Sequence, residues 1–281
     1  MSVEQFFTLF LEELKGRDKL REYYKFHDGP AKLPFRKAYF CQRLQYVIDQ
    51  VRLAISQSPN LPMPQPPKVW DCGCGYATTQ IFLALNGIPS RGTTLEFYYK
   101  EIPERLEYWS KHGDMSLVKV SYEDVFETKA KEASEDLIIV QDTLHHLEPL
   151  QDSLSIFRRT LRPGGRLIAV EENGSNLVQS LKLYRQRGNN RIIEYYDEGL
   201  GRKVMMGNEN IRPLRVWQKE FEKAGFKLNP ESVQYVRLFP PSFFEKKPLE
   251  DVVAREQRIW KANPLLKEYF FFGINFVALK A

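Results

Sequence analysis

The stretch KVWDCGCGYATTQ, residues 68–80, places two glycines directly after a short apolar run that ends in an acid. The next segment, TTQIFLALNG, repeats its apolar residues at helical spacing up to Gly87. Gly73 and Gly75 allow a sharp turn and let a ligand approach the backbone, because glycine has no Cβ. The stretch therefore predicts a strand, a binding turn and a helix, in that order.

Strand-like and helix-like segments alternate through most of the remaining chain. Strands are predicted in RGTTLEF, SLVKVSYED, DLIIVQD and RLIAVEE, with helical segments between them. Such alternation is typical of a parallel sheet with helices on both faces. The chain ends differently, with the strand-like segments FKLNPESVQYVRLF and YFFFGINFVALKA and no clear helix pattern between them. We expect one strand of this pair to run antiparallel.

The composition is ordinary for a globular protein. The 281 residues are 43% hydrophobic and 27% charged. No apolar run approaches the roughly 18 residues that a membrane span needs, and the N-terminal segment MSVEQFFTLFLEELK lacks the basic start of a signal peptide. Three cysteines argue against a disulfide scaffold. These features predict a cytoplasmic protein with no membrane partner.

The charge is distributed unevenly along the chain. The net charge is +5, yet residues 15–43 hold nine basic and three acidic residues, and residues 180–219 hold nine and four. The rest of the chain is therefore acidic. The two basic segments are either solvated faces or walls of a binding site, and both interpretations remain open.

The segments suggest one main domain with additions. Residues 1–57 are predicted to form a helical N-terminal cap, and residues 58–67 a proline-rich linker that no helix can continue through. Residues 68–281 are predicted to form the main domain. It carries lid insertions at about 173–213 and 239–268, beyond the alternating core.

The cysteines of the glycine turn raise the question of a metal site. Cys72 and Cys74 would need partner ligands, but Cys41 stands alone and the four histidines show no second paired spacing. We therefore expect no metal.

A dinucleotide loop is the second alternative for the turn. The fingerprint Gly-x-Gly-x-x-Gly would need a third glycine where this chain has Thr78. Asp71 would also repel a pyrophosphate, which prefers the N–H groups of a helix start. An acid here suits a cationic nucleoside such as S-adenosylmethionine. Glu96 then follows Gly75 at the end of the next strand, where a carboxylate can accept hydrogen bonds from ribose hydroxyls.

Five motifs together resemble the class I S-adenosylmethionine-dependent methyltransferases. They are VWDCGCG, LEF, SYEDVF, DLIIVQDTLHHL and LRPGGRLIAVEE, in this order between about Lys68 and the C-terminus. The resemblance implies an α/β fold with a Rossmann-like seven-stranded sheet, whose last strand is antiparallel and whose helices cover both faces. It also implies S-adenosyl-L-methionine as the cofactor.

The resemblance further implies where the cofactor binds. The turn after the first strand would hold the methionine end, and the second strand would end at the ribose. An acid after the third strand would accept the adenine amino group, and the end of the fourth strand would line the reactive end. The methionine end would meet Asp71, Cys72, Gly73 and Gly75, and the ribose would meet Glu96 and Phe97. The adenine would meet Glu123 or Asp124 together with Val125, and the reactive end would meet Gln141 and Asp142.

His145 and His146 follow the fourth strand and are the nearest candidates for a general base, because imidazole titrates near neutral pH. In the family such a pair is also a structural feature of the following turn. Both roles remain open, since an acceptor that has lost its proton at neutral pH needs no base, whereas an alcohol or phenol could use one.

The acceptor is expected to be a small anionic or aromatic molecule, methylated by direct in-line displacement. Aromatic residues and cations alternate in both basic segments, and Arg36, Arg191 or Arg212 could reach a carboxylate or phosphate. The modest net charge and the absence of a recognisable RNA-binding module argue against nucleic acid. Alternatives are an RNA or protein methyltransferase, or a non-catalytic protein that only binds S-adenosylmethionine. The protein is expected to be a monomer or homodimer.

Overall fold

Seven strands form one mixed sheet in the computed structural model, which describes residues 1–26, 32–57, 66–95 and 97–281. The strands of the chain are β1 Val69–Cys72, β2 Ser90–Thr94, β3 Val118–Tyr122, β4 Glu135–Gln141, β5 Leu161–Glu172, β6 Ile192–Asp197, β7 Arg202–Gly207, β8 Phe226–Val236 and β9 Gly273–Lys280. The sheet order is β3-β2-β1-β4-β5-β9-β8, and β6 pairs with β7 in a separate hairpin.

The sheet is parallel except at β9. This strand pairs antiparallel with both β5 and β8, whereas β1 to β5 pair parallel with one another. The predicted Rossmann-like seven-stranded sheet with an antiparallel last strand is therefore confirmed. Its order reverses at β1, where β2 lies on one side and β4 on the other, and such a reversal is where open α/β sheets bind ligands.

Eleven α-helices are found in the described part of the chain. They are α1 Val3–Lys15, α2 Asp18–Tyr23, α3 Leu33–Ser56, α4 Thr78–Ala84, α5 Ile102–Trp109, α6 Leu150–Thr160, α7 Leu177–Arg187, α8 Leu214–Lys223, α9 Pro241–Lys246, α10 Leu249–Ala262 and α11 Pro264–Phe270. No helix in these ranges combines the length and the apolar character needed to cross a membrane.

Alternating side chains of the central strands supply two separate cores. In β1, Val69 joins the core under α1, α3, α4 and α5, whereas Trp70 joins the core under α6 and α8. In β4, Leu137 and Ile138 divide in the same way. This division follows from the two-residue period of a strand, and an unbroken apolar run is what a strand covered on both faces requires.

The N-terminal helices pack on the first of these cores through aromatic rings. Phe10 and Phe40 stack with ring centroids 4.8 Å apart, and Phe6 stacks on Phe40 at 6.1 Å. The division into cap, linker and main domain stays a prediction, because residues 58–65 of the proposed linker lie outside the described residues.

Two insertions extend the carboxyl edge of the sheet. The first insertion consists of α7 and the β6–β7 hairpin, and the second consists of α9, α10 and α11. The strand predicted over residues 269–281 begins later, at Gly273, because Tyr269 and Phe270 end α11. The amides of Asn173 and Asn176 bind carbonyls of residues 268–271 and so hold this segment outside the ladder.

A buried ion pair joins α1 to α5 and to the glycine turn. The guanidinium of Arg105 donates to both carboxylate oxygens of Glu13, at 2.8 and 2.7 Å, and neither side chain is exposed. Arg105 also donates to the carbonyl of Tyr76 and the hydroxyl of Thr78, and Trp109 donates to Glu13. Because the charges are paired and the remaining donors have acceptors, three distant segments are held in one arrangement.

We expect Glu13→Gln to lower the free energy of unfolding by on the order of 3–5 kcal/mol, because Arg105 would keep a buried charge without its counter-ion. Urea denaturation measures the change as a shifted midpoint. The matched control is Glu12→Gln, which removes an exposed pair with Lys15 and should change stability by less than about 1 kcal/mol. Equal effects of the two variants would contradict a structural role for the buried pair.

Candidate active site

The turn after β1 holds both glycines in the left-handed region, with φ of +76° at Gly73 and +52° at Gly75. The amides of Gly73 and Cys74 donate to the carbonyl of Thr93, at 2.9 and 3.0 Å. A Cβ on Gly73 would lie 2.4 Å from Oγ1 of Thr143, so no larger residue fits there. At Gly75 the nearest atom to an added Cβ is the hydroxyl of Tyr23, at 3.7 Å. The turn is thus a tight backbone cradle at the switch point of the sheet.

Asp71 precedes this cradle and is 1% exposed. Among the described residues, its Oδ2 atom has no hydrogen-bond partner. Burial raises the pKa of Asp71 to about 7, because a carboxylate buried without a partner loses the hydration of its charge. A positively charged ligand in the cradle would supply the missing partner, and an anionic ligand would not.

The end of β4 is fixed by contacts from two other elements. Gln141 donates to the hydroxyl of Thr79 at 2.6 Å. Asp142, with φ of +47°, forms an ion pair with Arg43 of α3. Although burial opposes its ionisation, Arg43 and His145 hold the pKa of Asp142 below its ordinary value. Asp142 is therefore an ionised group at the carboxyl edge, held there by the N-terminal helices.

A second ion pair lies at the end of β5. Nη1 of Arg237 is 3.2 Å from Oε1 of Glu172. The Arg237 guanidinium lies over the rings of Tyr39 and Phe272, at 5.5 and 5.2 Å from the ring centroids. A cation beside two aromatic rings is thus positioned at the strand ends, and no motif in the sequence indicates Arg43 or Arg237.

The expected ribose and adenine positions follow β2 and β3. Glu96 lies outside the described residues, and Phe97 begins a 3₁₀ helix over Phe97–Glu101. Asp124 is buried and accepts from the amide of Phe126 at 3.0 Å, which caps a second 3₁₀ helix over Val125–Glu127. Glu123, by contrast, is half-buried, and its carboxylate accepts from the hydroxyl of Ser121 at 3.3 Å.

The β6–β7 hairpin reaches this same region. Arg202 donates to Oδ2 of Asp124 at 2.6 Å, and Tyr122 donates to Asp197 at 2.6 Å. Because these residues are 78 and 75 positions apart, sequence patterns could not reveal the contacts. The first insertion therefore covers the end of β3.

The histidine pair is organised by Glu171, next to last in β5. One Glu171 oxygen accepts from the amides of Thr143 and Leu144, and the other lies 2.5 Å from Nδ1 of His145. Although burial opposes the charged form, Glu171 raises the pKa of His145 to about 9. Burial and the charge of His145 lower the pKa of His146. A general-base role for either histidine stays a prediction.

The three arginines expected to bind an anionic acceptor differ in their contacts. Arg212 is paired with Glu148 and lies 5.1 Å from the Trp217 ring centroid, which leaves it little freedom to reach an acceptor. Arg36 lies 5.8 Å from the ring centroid of Phe35. Contact of Arg36 or Arg191 with an acceptor stays a prediction.

Residues 70–169 match the family described as the methyltransferase domain. The matched span contains the glycine cradle, the ends of β2, β3 and β4, and the histidine pair. This part of the chain is a methyltransferase domain, and the fold is that of S-adenosylmethionine-dependent methyltransferases. No match was found among curated proteins.

Solved structures share the fold of this methyltransferase over most of its length. A Galdieria sulphuraria protein, provisionally described as a sarcosine dimethylglycine methyltransferase, has a TM-score of 0.56 and 12% identity, with 86% of each chain covered. Phosphoethanolamine N-methyltransferase 2 of Haemonchus contortus, solved with S-adenosyl-L-methionine, has a TM-score of 0.53 and 17% identity over 83% of this chain and 52% of its own. Geranyl diphosphate C-methyltransferase of Streptomyces coelicolor A3(2) has a TM-score of 0.52 and 13% identity, over 83% and 76%. At these identities the likeness establishes the fold.

The residues of this methyltransferase fit its cofactor, S-adenosylmethionine. The unpartnered oxygen of Asp71 suits a ligand with sulfonium and ammonium groups, and the cradle at Gly73 and Gly75 would admit the methionine end. Asp124 and Val125 would hold the adenine, and Asp142 would face the reactive end. These individual roles remain expectations.

We expect cofactor affinity to rise with pH up to about 7 and then level off. The pKa of Asp71 in the free protein is about 7, so its protonated form below that pH lacks the charge that a cationic ligand requires. Calorimetric titration with S-adenosylhomocysteine between pH 6 and 8 measures this dependence, and Asp71→Asn should remove it and bind more weakly. A wild-type profile that Asp71→Asn retains would show that another group controls binding.

The two acids after β3 can be separated by isosteric substitutions. We expect Asp124→Asn to weaken S-adenosylhomocysteine binding by on the order of tenfold or more, because the buried, capped Asp124 is in a fixed position to accept from adenine. Glu123→Gln, the matched control, should change it less than about threefold. The reverse order of effects in calorimetry would assign the adenine contact to Glu123.

Proposed function

We propose that this methyltransferase acts on a small molecule that carries an anionic group beside an aromatic or apolar part. The observation that carries the proposal is the pair of ion pairs, Arg43–Asp142 and Arg237–Glu172, at the adjoining ends of β4 and β5 under the helical cover. The acceptor must approach the cofactor from this edge, since the glycine cradle lies beside it.

The N-terminal helices support a small acceptor. Tyr24, which follows α2, shares a hydrogen bond of 2.7 Å with the hydroxyl of Thr78, and Tyr23 lies over the glycine turn. The buried Glu13–Arg105 pair fixes α1 to the same turn. A cover fastened this firmly favours an enclosed pocket, whereas a nucleic acid would need a long open basic face.

Arg237 and Arg43 support recognition of an anion. A guanidinium has five N–H donors, so an arginine already paired with one carboxylate can bind a second anionic group. The rings of Tyr39 and Phe272 beside Arg237 would form an apolar wall for the rest of the acceptor. Such a combination of aromatic walls and a few placed cations is typical of pockets for small organic anions.

The names of structural neighbours are consistent with this acceptor class. Phosphoethanolamine and geranyl diphosphate, which two of them are named for, are small and carry phosphate groups. Their likeness to this chain extends to the fold only, so the local arginines remain the reason for the proposal.

The residues of this chain would then work mainly by alignment. When bound, S-adenosylmethionine would supply an already activated methyl group for in-line displacement by the acceptor, with S-adenosylhomocysteine as the leaving group. Asp71 and the glycine cradle would hold the donor, while Arg43 and Arg237 would orient the acceptor against it. The two insertions and the N-terminal helices would exclude water, and correct orientation alone lowers the barrier substantially.

A panel of matched acceptors tests the proposal through release of S-adenosylhomocysteine. Amines, phenols and alcohols would each be offered with and without a carboxylate or phosphate, and we expect turnover with the anionic members. Turnover restricted to neutral or cationic members would overturn the anionic preference. Tight, salt-sensitive RNA binding would favour a nucleic-acid acceptor instead, and cofactor binding without any turnover would favour a non-catalytic protein.

Substitution of Arg237 tests the assigned anion contact. We expect Arg237→Gln to raise the KM of an anionic acceptor at least about tenfold, since a charge-assisted hydrogen bond is lost, while the Kd of S-adenosylhomocysteine stays unchanged. The control is Arg166→Gln, which removes an arginine bonded to Gln57 away from the carboxyl edge. Equal KM values in the two variants would contradict the role of Arg237.

A further inference from the structure

Two histidines and one carboxylate converge beyond the end of β4. Nε2 of His145 lies 3.7 Å from Oε2 of Glu209, and Nε2 of His146 lies 3.8 Å from Oε1 of the same carboxylate. In the described part of the chain, the three residues bring one ligand atom each to within 4.8 Å of one another. These separations are close to those between the ligands of a single bound cation, since each metal–ligand bond is about 2 Å long.

Both imidazoles are oriented by their other ring nitrogen. Nδ1 of His145 is 2.5 Å from a carboxylate oxygen of Glu171, and Nδ1 of His146 is 3.0 Å from the carbonyl of Gly207. With Nδ1 donating in each ring, both Nε2 atoms lie within 3.8 Å of Glu209, and a bound cation would displace the proton from Nε2 of His145 so that both nitrogens could act as ligands. Histidines that bind metals are typically held in this way by a carboxylate or a carbonyl behind them.

The loop that carries Glu209 is fastened to the histidine turn. Asn210 donates its amide to the carbonyl of His145 at 3.0 Å, and a Cβ on Gly207 would lie 2.4 Å from that same oxygen. Glu209 itself has φ of +54°, a conformation unfavourable for a residue with a side chain. Its backbone carbonyl accepts from Ile211 and from Arg187, which hold it in that conformation.

We propose that His145, His146 and Glu209 bind one divalent transition cation of the zinc type. Two imidazole nitrogens and a carboxylate oxygen suit Zn²⁺ or Co²⁺ better than Mg²⁺ or Ca²⁺, which prefer oxygen ligands alone. Three protein ligands leave a position open, as in zinc sites that act on a substrate. The side chains of His146 and Glu209 are 30% and 44% exposed, so a cation can enter from solvent while His145 stays buried.

The cluster lies close to the place where the methyl acceptor is expected to bind. His145 follows Asp142 by three residues, and both belong to the loop after β4 where the reactive end of the cofactor is expected. An anionic oxygen of an acceptor could therefore occupy the open position. The metal site itself does not depend on that acceptor or on the proposed function.

An ion pair without metal is the competing explanation. A protonated His145 would attract Glu171 and Glu209 and would bring the same carboxylates close. This ion-pair explanation does not require Nε2 of the second imidazole, that of His146, to lie near the same Glu209 carboxylate. A metal site does require it.

The test uses the full-length chain without a histidine tag, treated with a chelator and then dialysed. Calorimetric titration with ZnCl₂ should show one equivalent bound per chain, and titration with CoCl₂ should produce the visible absorption bands of cobalt bound by nitrogen and oxygen ligands. Glu209→Gln and His146→Gln should each weaken Zn²⁺ binding by at least about tenfold and remove the cobalt bands. Both residues are partly exposed, so these variants should fold, which circular dichroism and urea unfolding would verify.

The matched control is His112→Gln, since His112 is exposed and contacts Tyr108 and Trp109 away from the cluster. It should bind Zn²⁺ and Co²⁺ as the wild type does. Absence of Zn²⁺ binding to the folded wild type, or equal binding by the wild type and Glu209→Gln, would overturn the proposal and leave an ion pair only. Because calorimetry and absorption need no acceptor, failure of the metal site is distinguishable from failure of the proposed function.

Discussion

A single buried ion pair, Glu13–Arg105, constrains the arrangement of the whole cofactor side of the molecule. A guanidinium that is completely removed from water must find acceptors for its donors, and Arg105 finds them in α1 and in the turn after β1. The first helix, the helix after β2 and the cradle for the cofactor therefore cannot move independently. This constraint holds a segment outside the alternating core against the glycine turn. The opening to the acceptor is consequently shaped by residues distant in sequence.

Asp71 shows the opposite treatment of a buried charge. Its unpartnered oxygen and raised pKa mean that the free protein bears an electrostatic penalty at the site where a cationic cofactor is expected to bind. Loss of hydration disfavours the carboxylate until a positive ligand compensates it. The buried charge of Asp71 therefore lowers the stability of the free protein while favouring a cationic ligand. The buried charge of Arg105 is paired within the chain and is not left unpartnered. The counter-ion of Arg105 comes from the chain itself, whereas that of Asp71 is expected to come from the ligand.

The carboxyl edge of the sheet gathers side chains from four separate segments. Arg43 comes from α3, Arg237 follows β8, Arg202 belongs to the hairpin, and the histidine pair follows β4. Each basic residue contacts an acid that ends or follows a strand, so the uneven charge of the sequence reflects basic covers over acidic strand ends. Because Arg43, Arg202 and Arg237 are each already paired with a carboxylate, an anionic ligand that enters this edge must either join or replace that partner. Selectivity for the ligand can arise here, because only a group of matching charge and geometry can take the place of a carboxylate without weakening the interactions of the arginine.

The sequence alone determined the order of the seven strands of the main sheet, the glycine turn and the exceptional last strand, but not the β6–β7 hairpin or the helices between β8 and β9. These features depend on local rules: a period of two in strands, apolar runs where both faces are covered, and glycine where φ is positive. The tertiary structure alone decided that Arg202 meets Asp124, that Glu13 meets Arg105, and that Glu209 joins the histidine pair. Those partners are 60 or more residues apart, and no local pattern encodes which loops fold over the same strand end. Their pairing is set by packing across the sheet edge, where the long-range path of the chain brings the charges together.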